Sequence, residues 1–258
     1  MSLRPGMRRV LVTGGGSGIG RAVAEALLRQ GAKVALVGRR RARLEEVAAA
    51  WPGRAEVVPA DLAHPEEVEG LLDRARERLG GLDGLVCAAG VAFHQLPGAI
   101  EEAALRQQIE VNLVAPLRLG EAALHALEPG GGVVFVASNL AHRPLSTSAV
   151  YSATKAGLLA AMRALARAGT ARAIRFNAVS PGIVDTEMVR ELRLAPGKPP
   201  PTGAEAARRL AAQLESLRAE VPLGRLGTPE EIAEAVVFLL GAPWATGVDW
   251  ILDGGGLL

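Results

Sequence analysis

The sequence predicts a single α/β domain in which helices cover both faces of one parallel sheet of about seven strands. Short runs rich in Val, Ile, Leu and Phe alternate with helical patterns along the whole chain, and runs that are apolar on both faces suit strands buried in a parallel sheet. The chain has 258 residues, 49% of them hydrophobic, which is the size of one large domain. We find no internal repeat and no dividing linker, so we assign residues 1–258 to one doubly wound unit.

Seven segments have the composition of buried strands. Each is short, mostly aliphatic, and ends near small or polar residues. We place these strands at 9–13, 33–38, 55–59, 83–87, 132–138, 174–179 and 248–252.

Six helical patterns lie between these strands. We place them at 18–30, 41–50, 65–79, 101–127, 149–168 and 228–240. The last begins with Thr228-Pro-Glu-Glu, where Thr is an N-cap, Pro occupies the first position and two acids lie near the positive end of the helix dipole. Right-handed crossovers between the strands then place helices on both faces of the sheet.

One segment interrupts the alternation. Residues 189–227 hold the Pro/Gly-rich stretch Ala195-Pro-Gly-Lys-Pro-Pro-Pro-Thr-Gly203, followed by an Ala/Leu/Arg helical pattern at 204–220. A surface excursion would explain this segment. A long insertion at the carboxyl end of a strand is also where a lid over a ligand would lie, and we expect 189–227 to form such a lid.

Composition argues against several classes of protein. Cys87 is the only cysteine, so an internal disulfide is ruled out, and the four scattered histidines lack the spacing of zinc ligands. The net charge is only +2, and the arginines are dispersed among acids, which does not indicate a nucleic-acid surface. Apolar runs are too short for a membrane span or a signal peptide. We therefore expect a soluble, cytoplasmic protein without a metal, a nucleic-acid partner or a membrane.

A glycine-rich loop follows the first strand and opens the first helix. It reads Thr13-Gly-Gly-Gly-Ser-Gly-Ile-Gly20. Glycines let the backbone turn tightly and approach a pyrophosphate, which the N-terminus of the helix then stabilises. Because the loop lies between a strand and a helix, it predicts a dinucleotide-binding site.

The spacing Gly14-x-x-x-Gly18-x-Gly20 resembles the short-chain dehydrogenase/reductase family, in its compact single-domain branch with a Rossmann-type fold. Further elements match the family in order over nearly the whole chain: Asp61-Leu62, Cys87-Ala-Ala-Gly90, the Val-Asn-Leu around Asn112, Ser138, Tyr151-x-x-x-Lys155, Ser180-Pro-Gly-Ile-Val-Asp-Thr186 and Asp253-Gly-Gly. Cys87 stands where the family has an Asn that mainly braces the sheet. The departure therefore concerns a local hydrogen bond and not the chemistry.

The resemblance implies a set of cofactor-binding residues. In the family, Asp61-Leu62 contact the adenine, and the segment from Pro181 to Thr186 holds the carboxamide. The implied set is Gly14, Gly16, Ser17, Gly18, Ile19, Gly20, Arg39, Asp61, Leu62, Ala89, Gly90, Tyr151, Lys155, Pro181, Gly182, Ile183 and Thr186.

The end of the second strand bears on the choice of nicotinamide cofactor. An acid there would hydrogen-bond both ribose hydroxyls and repel a 2′-phosphate. Gly38 occupies that position and Arg39 follows it, and a guanidinium pairs well with a phosphate. We expect NADP(H). NAD(H) is the alternative, in which case Arg39 belongs to a solvated basic helix start.

Tyr151 and Lys155 are the principal candidates for catalysis. Tyr151 is the only tyrosine, and a lysine four residues later on a helix shares its face. Tyrosine has a pKa of about 10 and is a poor acid–base catalyst at neutral pH. A nearby ammonium favours the phenolate, so we expect Lys155 to lower the pKa of Tyr151.

Ser138 and Asn112 complete the predicted catalytic group. A hydroxyl at the end of the fifth strand can hydrogen-bond a substrate oxygen beside the phenol. Pro116 has no N–H, so the carbonyl of Asn112, four residues earlier, loses its helical partner and is free to hold a water. The resemblance implies that this water links Lys155 to solvent with help from the Asn112 side chain. A kink for packing alone is the alternative.

Together these residues predict an oxidoreductase that interconverts a carbonyl and a secondary alcohol by hydride transfer, with Tyr151 as the acid and base. The substrate stays open between a 3-oxoacyl thioester, a sugar or polyol, a steroid-like ketone and a small xenobiotic carbonyl. The expected pocket segments 91–97, 139–150 and 183–194 are largely apolar, with His94, His142 and Arg143 as their polar members.

Two further expectations concern class and assembly. A dinucleotide-binding regulator without catalysis is the alternative from another class, and the presence of all four catalytic residues disfavours it. Helices 101–127 and 149–168 are long and rich in Ala and Leu. The resemblance implies that they pair between subunits, so we expect a homodimer or homotetramer, although a core-facing stripe would also explain them.

Overall fold

The structure is a computed structural model that describes residues 8–192 and 201–258. It contains one sheet of seven parallel strands in the order β3-β2-β1-β4-β5-β6-β7. The predicted doubly wound parallel sheet is therefore confirmed. The strands are β1 (Arg9–Thr13), β2 (Lys33–Gly38), β3 (Ala55–Pro59), β4 (Gly84–Cys87), β5 (Gly132–Val136), β6 (Arg175–Pro181) and β7 (Asp249–Leu252).

Helices pack on both faces of this sheet. Helices α4, α6 and α7 bury their apolar sides on one face, and α1, α2 and α10 on the other, as alternate residues of each strand point to opposite faces. Among the helices of the described ranges, none is long and apolar enough to cross a bilayer. The helices are α1 (Gly18–Arg29), α2 (Arg41–Ala49), α3 (Pro65–Val68), α4 (Leu71–Leu79), α5 (Glu102–Ile109), α6 (Ala115–Ala126), α7 (Ala149–Gly169), α8 (Glu187–Arg190), α9 (Gly203–Ala219) and α10 (Pro229–Gly241).

Two of the predicted helices are interrupted. The helix expected at 65–79 divides into α3 and α4 at Gly70, whose φ of 65° lies in the left-handed region that glycine adopts without strain. The helix expected at 101–127 contains a wider π-turn at Glu110–Val114 between α5 and α6. Pro116, the second residue of α6, cannot donate the usual helical hydrogen bond, so an irregularity occurs where the sequence indicated one.

Some predicted strands begin later or end sooner. Strand β4 begins at Gly84, so Asp83 lies just before it, where its carboxylate accepts hydrogen bonds from the main-chain N–H groups of Arg8 and Arg9 and from the Arg9 guanidinium. Strand β5 ends at Val136, so Ser138 lies beyond the sheet, at the start of a short 3₁₀ turn (Asn139–Ala141). This shorter strand lets Ser138 project into the loops above the sheet.

The predicted lid segment is described only in part. Residues 193–200, which include most of the Pro/Gly-rich stretch, lie outside the described residues. Helix α9 covers the predicted helical pattern and packs Leu214 and Leu217 against Ile183 and Val189 in a small third apolar cluster. This cluster follows the carboxyl end of β6, where the lid was expected, and closure over a ligand stays a prediction.

Arginine side chains secure the amino edge of the sheet. Arg9, the first residue of β1, forms an ion pair of 2.7 Å with the largely buried Asp83. Arg54, Arg172 and Arg175 donate to carbonyls at the ends of three helices, which have unpaired oxygens and the negative end of the helix dipole. Their acceptors are Leu28 in the last turn of α1, Leu124, His125 and Leu127 at the end of α6, and Leu239, Leu240 and Ala242 at the end of α10.

Candidate active site

A crevice opens at the carboxyl edge of the sheet between β1 and β4. The strand order reverses there, because β2 and β3 lie on one side of β1 and the later strands lie on the other. Loops leaving such a point diverge, and this is where ligands bind in open α/β sheets. A cavity of about 300 Å³ occupies the crevice.

Nearly all of the residues predicted from the sequence line this cavity. They come from the glycine loop, the carboxyl ends of five strands or the loops after them, and α7. They are Gly14, Gly16, Ser17, Gly18, Ile19, Gly20, Arg39, Asp61, Leu62, Ala89, Gly90, Ser138, Tyr151, Lys155, Pro181, Gly182 and Thr186. The two exceptions among the predicted residues are Asn112 and Ile183.

The glycine loop presents bare main chain to the cavity. A Cβ on Gly20 would overlap the carbonyl of Gly14, and a Cβ on Gly14 would lie 3.0 Å from the main chain of Ala89. Gly14 also has a φ of 71°, which disfavours any other residue. Helix α1 begins directly behind this loop at Gly18. A close backbone cradle at a helix N-terminus fits the pyrophosphate of a dinucleotide.

Three arginines, Arg39, Arg40 and Arg43, line the cavity beside the end of β2. Arg40 donates to the Ser17 hydroxyl at 2.9 Å and pairs with Glu187 of α8 at 3.0 Å, and Arg43 approaches the same carboxylate at 3.5 Å. Within the part of the chain that the structure describes, exposed Arg39 forms no ion pair, so its guanidinium is available to a ligand. Sequence reasoning missed Arg40, Arg43 and Glu187, although the run from Arg39 to Arg41 was a signal for the first of them.

Lys155 lies deep in the cavity wall. Its Nζ donates to the carbonyl of Val136 at 2.8 Å and lies 5.7 Å from the centre of the Tyr151 ring. The side chain is almost wholly buried, and this burial lowers the pKa of Lys155 to about 8. The Lys155 amine can therefore exchange a proton with its surroundings close to neutral pH.

The pKa of Tyr151 differs from the expectation. Burial raises the pKa of Tyr151 above its ordinary value, and the nearby Ser138 hydroxyl acts in the opposite direction. The pKa of Tyr151 is therefore raised in the protein's own surroundings and not lowered as expected, because removing a phenolate from water is costly. Spacing along a helix indicates proximity but not burial.

Asn112 braces the chain instead of facing the cavity. Its fully buried side chain accepts from the Val91 N–H at 2.9 Å and donates to the Val91 carbonyl at 2.8 Å. Both ends of the amide are engaged with Val91, but its oxygen has a second lone pair, so the help of this side chain in a proton relay stays a prediction. A Cβ on Gly90 would lie 3.3 Å from Asn112 Oδ1 and 3.6 Å from Lys155 Nζ, so glycine keeps this space open, and a relay through the Asn112 carbonyl stays a prediction.

Ile183 and Cys87 are directed away from the cavity. The Ile183 side chain packs in the third apolar cluster and its carbonyl accepts from the Gly227 N–H at 3.0 Å, so any cofactor contact of Ile183 comes from its main-chain N–H. Cys87 is buried in the core, and burial raises the pKa of its thiol, which makes it unreactive at neutral pH. In residues 8–192 and 201–258, no three His, Cys, Asp or Glu side chains are arranged to hold a metal ion.

Comparison with known proteins agrees with this geometry. Residues 14–256 match a family model described as enoyl-(acyl carrier protein) reductase. The chain is 32% identical over 246 residues to carbonyl reductase family member 4 of Xenopus tropicalis, and equally to human 3-oxoacyl-[acyl-carrier-protein] reductase, in both cases covering 95% of each chain.

Solved structures give the same result. A short-chain dehydrogenase/reductase from Brucella melitensis, described as a glucose/ribitol dehydrogenase, superposes with a TM-score of 0.87 at 31% identity over the full length of both chains. A short-chain dehydrogenase from Burkholderia cenocepacia in complex with NADP has a TM-score of 0.82 at 31% identity, covering 97% of this chain and 98% of that one. With its parallel sheet, its glycine cradle and its Ser, Tyr and Lys on one cavity, the chain belongs to the short-chain dehydrogenase/reductase family of NAD(P)-dependent oxidoreductases.

Proposed function

We propose that the protein is an NADP(H)-dependent oxidoreductase that interconverts a carbonyl compound and a secondary alcohol, with Tyr151 as acid and base. The observation that carries this proposal is the convergence of Ser138, Tyr151 and Lys155 on the cavity that the glycine loop also lines. A dinucleotide held on that loop has its nicotinamide end directed toward the carboxyl ends of the neighbouring strands.

Each of the three side chains has a role that follows from its surroundings. The nicotinamide, when bound, supplies or accepts the hydride. The Tyr151 phenol gives a proton to the carbonyl oxygen during reduction, and the Ser138 hydroxyl, which lines the same cavity, orients that oxygen. The Lys155 ammonium, held on the Val136 carbonyl, provides positive charge beside the phenol and a proton that can replace the one Tyr151 gives up.

The choice of NADP(H) rests on the end of β2. Gly38 offers no carboxylate to repel a 2′-phosphate, and Arg39 beside it has a guanidinium free to pair with one. The Burkholderia cenocepacia relative is described in complex with NADP, which is a property of that protein and supports the same choice here. NAD(H) is the alternative.

The rim of the cavity favours an apolar carbonyl substrate. Phe93, Leu96, Leu145 and Met188 are all exposed on segments beside Ser138, Tyr151 and the cofactor cleft, and large exposed apolar side chains near a cleft mark a surface that a ligand covers. Relatives named as carbonyl reductase family member 4 and 3-oxoacyl-[acyl-carrier-protein] reductase make a small ketone and a 3-oxoacyl thioester the first substrates to test. A sugar or polyol is the alternative.

The test is NADPH oxidation with a panel containing acetoacetyl-coenzyme A, an aromatic ketone, a cyclic ketone and a ketose. We expect turnover of at least one apolar carbonyl, and loss of nearly all turnover in Tyr151→Phe with NADPH affinity retained. Substantial activity in Tyr151→Phe would contradict the role of Tyr151. Tight NADPH binding without turnover of any carbonyl would favour a non-catalytic regulator.

We further propose that the enzyme is a cytoplasmic homodimer or homotetramer, as its family membership suggests. Light scattering on the purified protein measures its mass in solution, and fractionation of the source cells locates it. A monomer at micromolar concentration would contradict the proposed assembly.

A further inference from the structure

His142 is joined to Ser138 by a tight turn. The Ser138 hydroxyl accepts from the Leu140 N–H at 3.1 Å. The main-chain N–H groups of Ala141 and His142 donate to the carbonyls of Ser138 and Asn139, each at 3.0 Å. Because consecutive hydrogen bonds close this turn, the position of the His142 ring and that of the Ser138 hydroxyl are coupled.

The His142 ring meets a buried carboxylate on the last strand of the sheet. Its Nε2 lies 2.8 Å from Oδ2 of Asp249, whose side chain is only 6% exposed. The other oxygen of Asp249 accepts from the hydroxyl of Ser180 at 2.6 Å, and Ser180 is fully buried at the end of β6. One carboxylate thus links the turn after β5 to the end of β6.

A second contact joins the same elements. The Asn139 amide donates to Asp253, just after β7, at 3.5 Å. Gly182, which lines the cavity, packs so closely on Asp253 that a Cβ would lie 2.7 Å from its Cα. The turn after Ser138 and the cavity segment Pro181-Gly182 are therefore both tied to β7 and the residue after it.

These contacts matter because they hold the far end of the turn. Ala141 packs against the core, but residues 142–146 are exposed, so the position of the His142 end of the turn depends on polar links. A buried carboxylate with two hydrogen-bond partners is rigid, since losing either partner leaves charge unsatisfied in a poorly solvated place.

We propose that the His142–Asp249 pair is a positioning device, which holds the Ser138 hydroxyl on the cavity wall that it shares with the Tyr151 phenol by fixing the turn after β5 to β6 and β7. This inference rests on the proposed roles of Ser138 and Tyr151. His142 itself was expected from the sequence only as a polar member of the pocket, and Asp249 was not singled out.

The single tyrosine allows a test without any substrate. Protein labelled with ¹³C at tyrosine Cζ has one signal, from Tyr151, and its chemical shift reports hydrogen bonding to the phenol. We expect His142→Ala to move this signal in the direction of that of Ser138→Ala. His142→Gln, whose amide can still donate to Asp249, should leave it near the wild-type position.

The control is His64→Ala, which removes an exposed histidine paired with Glu66 at 3.6 Å and should leave the signal unchanged. A wild-type signal in His142→Ala would overturn the inference. If His142→Ala does not fold, Asp249→Asn replaces it, because asparagine still accepts from Ser180 but has lost the carboxylate charge. The same comparison then applies.

Kinetics separate this inference from the proposed function. With acetoacetyl-coenzyme A, or the best carbonyl of the panel, His142→Ala should lower kcat about tenfold and leave the Kd for NADPH within about twofold. In a Ser138→Ala background, His142→Ala should have no further effect, because it acts through Ser138.

A general loss of structure would instead weaken NADPH binding and lower the residual activity further, and would refute positioning. Full activity in Ser138→Ala would refute the proposed function itself. An inactive Ser138→Ala combined with a fully active His142→Ala would refute only the role of His142.

Discussion

Gly38→Asp is the substitution that tests the cofactor preference most directly. Gly38 ends β2 and lines the cavity. A Cβ there would meet Leu44 Cδ2 at 3.5 Å, an ordinary contact, and its φ is outside the left-handed region. The position therefore accepts a side chain without strain, so the effect of an aspartate reports its charge and hydrogen bonds.

The expected magnitude follows from Coulomb's law. A carboxylate about 5 Å from a 2′-phosphate with nearly two negative charges, at an effective dielectric constant of about 60, is repelled by about 2 kcal/mol, or about 30-fold in affinity. The same carboxylate can accept hydrogen bonds from both ribose hydroxyls of NAD(H), which contribute about 1.5 kcal/mol after desolvation, or about tenfold. The ratio of kcat/KM for NADPH to that for NADH should fall about 300-fold.

The assay measures initial rates with both cofactors at a saturating carbonyl substrate. Gly38→Asn has the same shape without the charge and should change the ratio far less. Arg41→Asp places a new carboxylate nearby on an exposed residue paired with Glu45 and should also have little effect. An unchanged preference in Gly38→Asp would show that the ribose does not lie at the end of β2. Equal effects of Asp and Asn would refute the electrostatic reasoning.

The remaining predictions concern pH, the glycine loop and stability. Burial lowers the pKa of Lys155 to about 8, so the ammonium is lost as the pH rises through that value and kcat/KM for carbonyl reduction should fall there; a profile that is flat up to the ordinary lysine pKa of about 10.4 would contradict this. Gly20→Ala places a Cβ on the Gly14 carbonyl, and since main chain cannot move aside cheaply, calorimetric titration should show NADPH affinity lowered at least about 100-fold. Asp83→Ala removes an acceptor of four hydrogen bonds and should lower the free energy of unfolding in urea by about 3 kcal/mol while NADPH affinity is unchanged, whereas exposed Asp73→Ala should leave stability within error.

The fold was predictable because its signals are local. Strands buried on both faces have to be continuously apolar, and the helices between them show clear ends, such as the capping box formed by Thr228 and Glu231 at the start of α10. The errors occurred where one residue changes the local geometry. Gly70 divides a helix in a way that periodicity does not show, and Pro116 indicated an irregularity without specifying the π-turn at Glu110–Val114.

The part of the candidate site that belongs to sequence motifs was predictable. The glycine loop and the pair of Tyr151 and Lys155 have fixed spacings, so their residues could be named before any geometry was known. Contacts between distant segments could not be predicted in this way. Arg40 meets Glu187 across 147 positions and His142 meets Asp249 across 107, and the high pKa of Tyr151 comes from burial, which depends on the complete fold.

The two edges of the sheet divide stability from chemistry. Guanidinium groups and Asp83 fasten the amino edge, whereas the cavity and the residues proposed for catalysis occupy the carboxyl edge. Substitutions in the loops of the carboxyl edge can therefore change substrate specificity without removing the contacts that stabilise the amino edge. For directed evolution, this separation favours libraries confined to 91–97, 144–150 and 186–192, since substitutions there can change the substrate while the stabilising contacts of the amino edge stay intact.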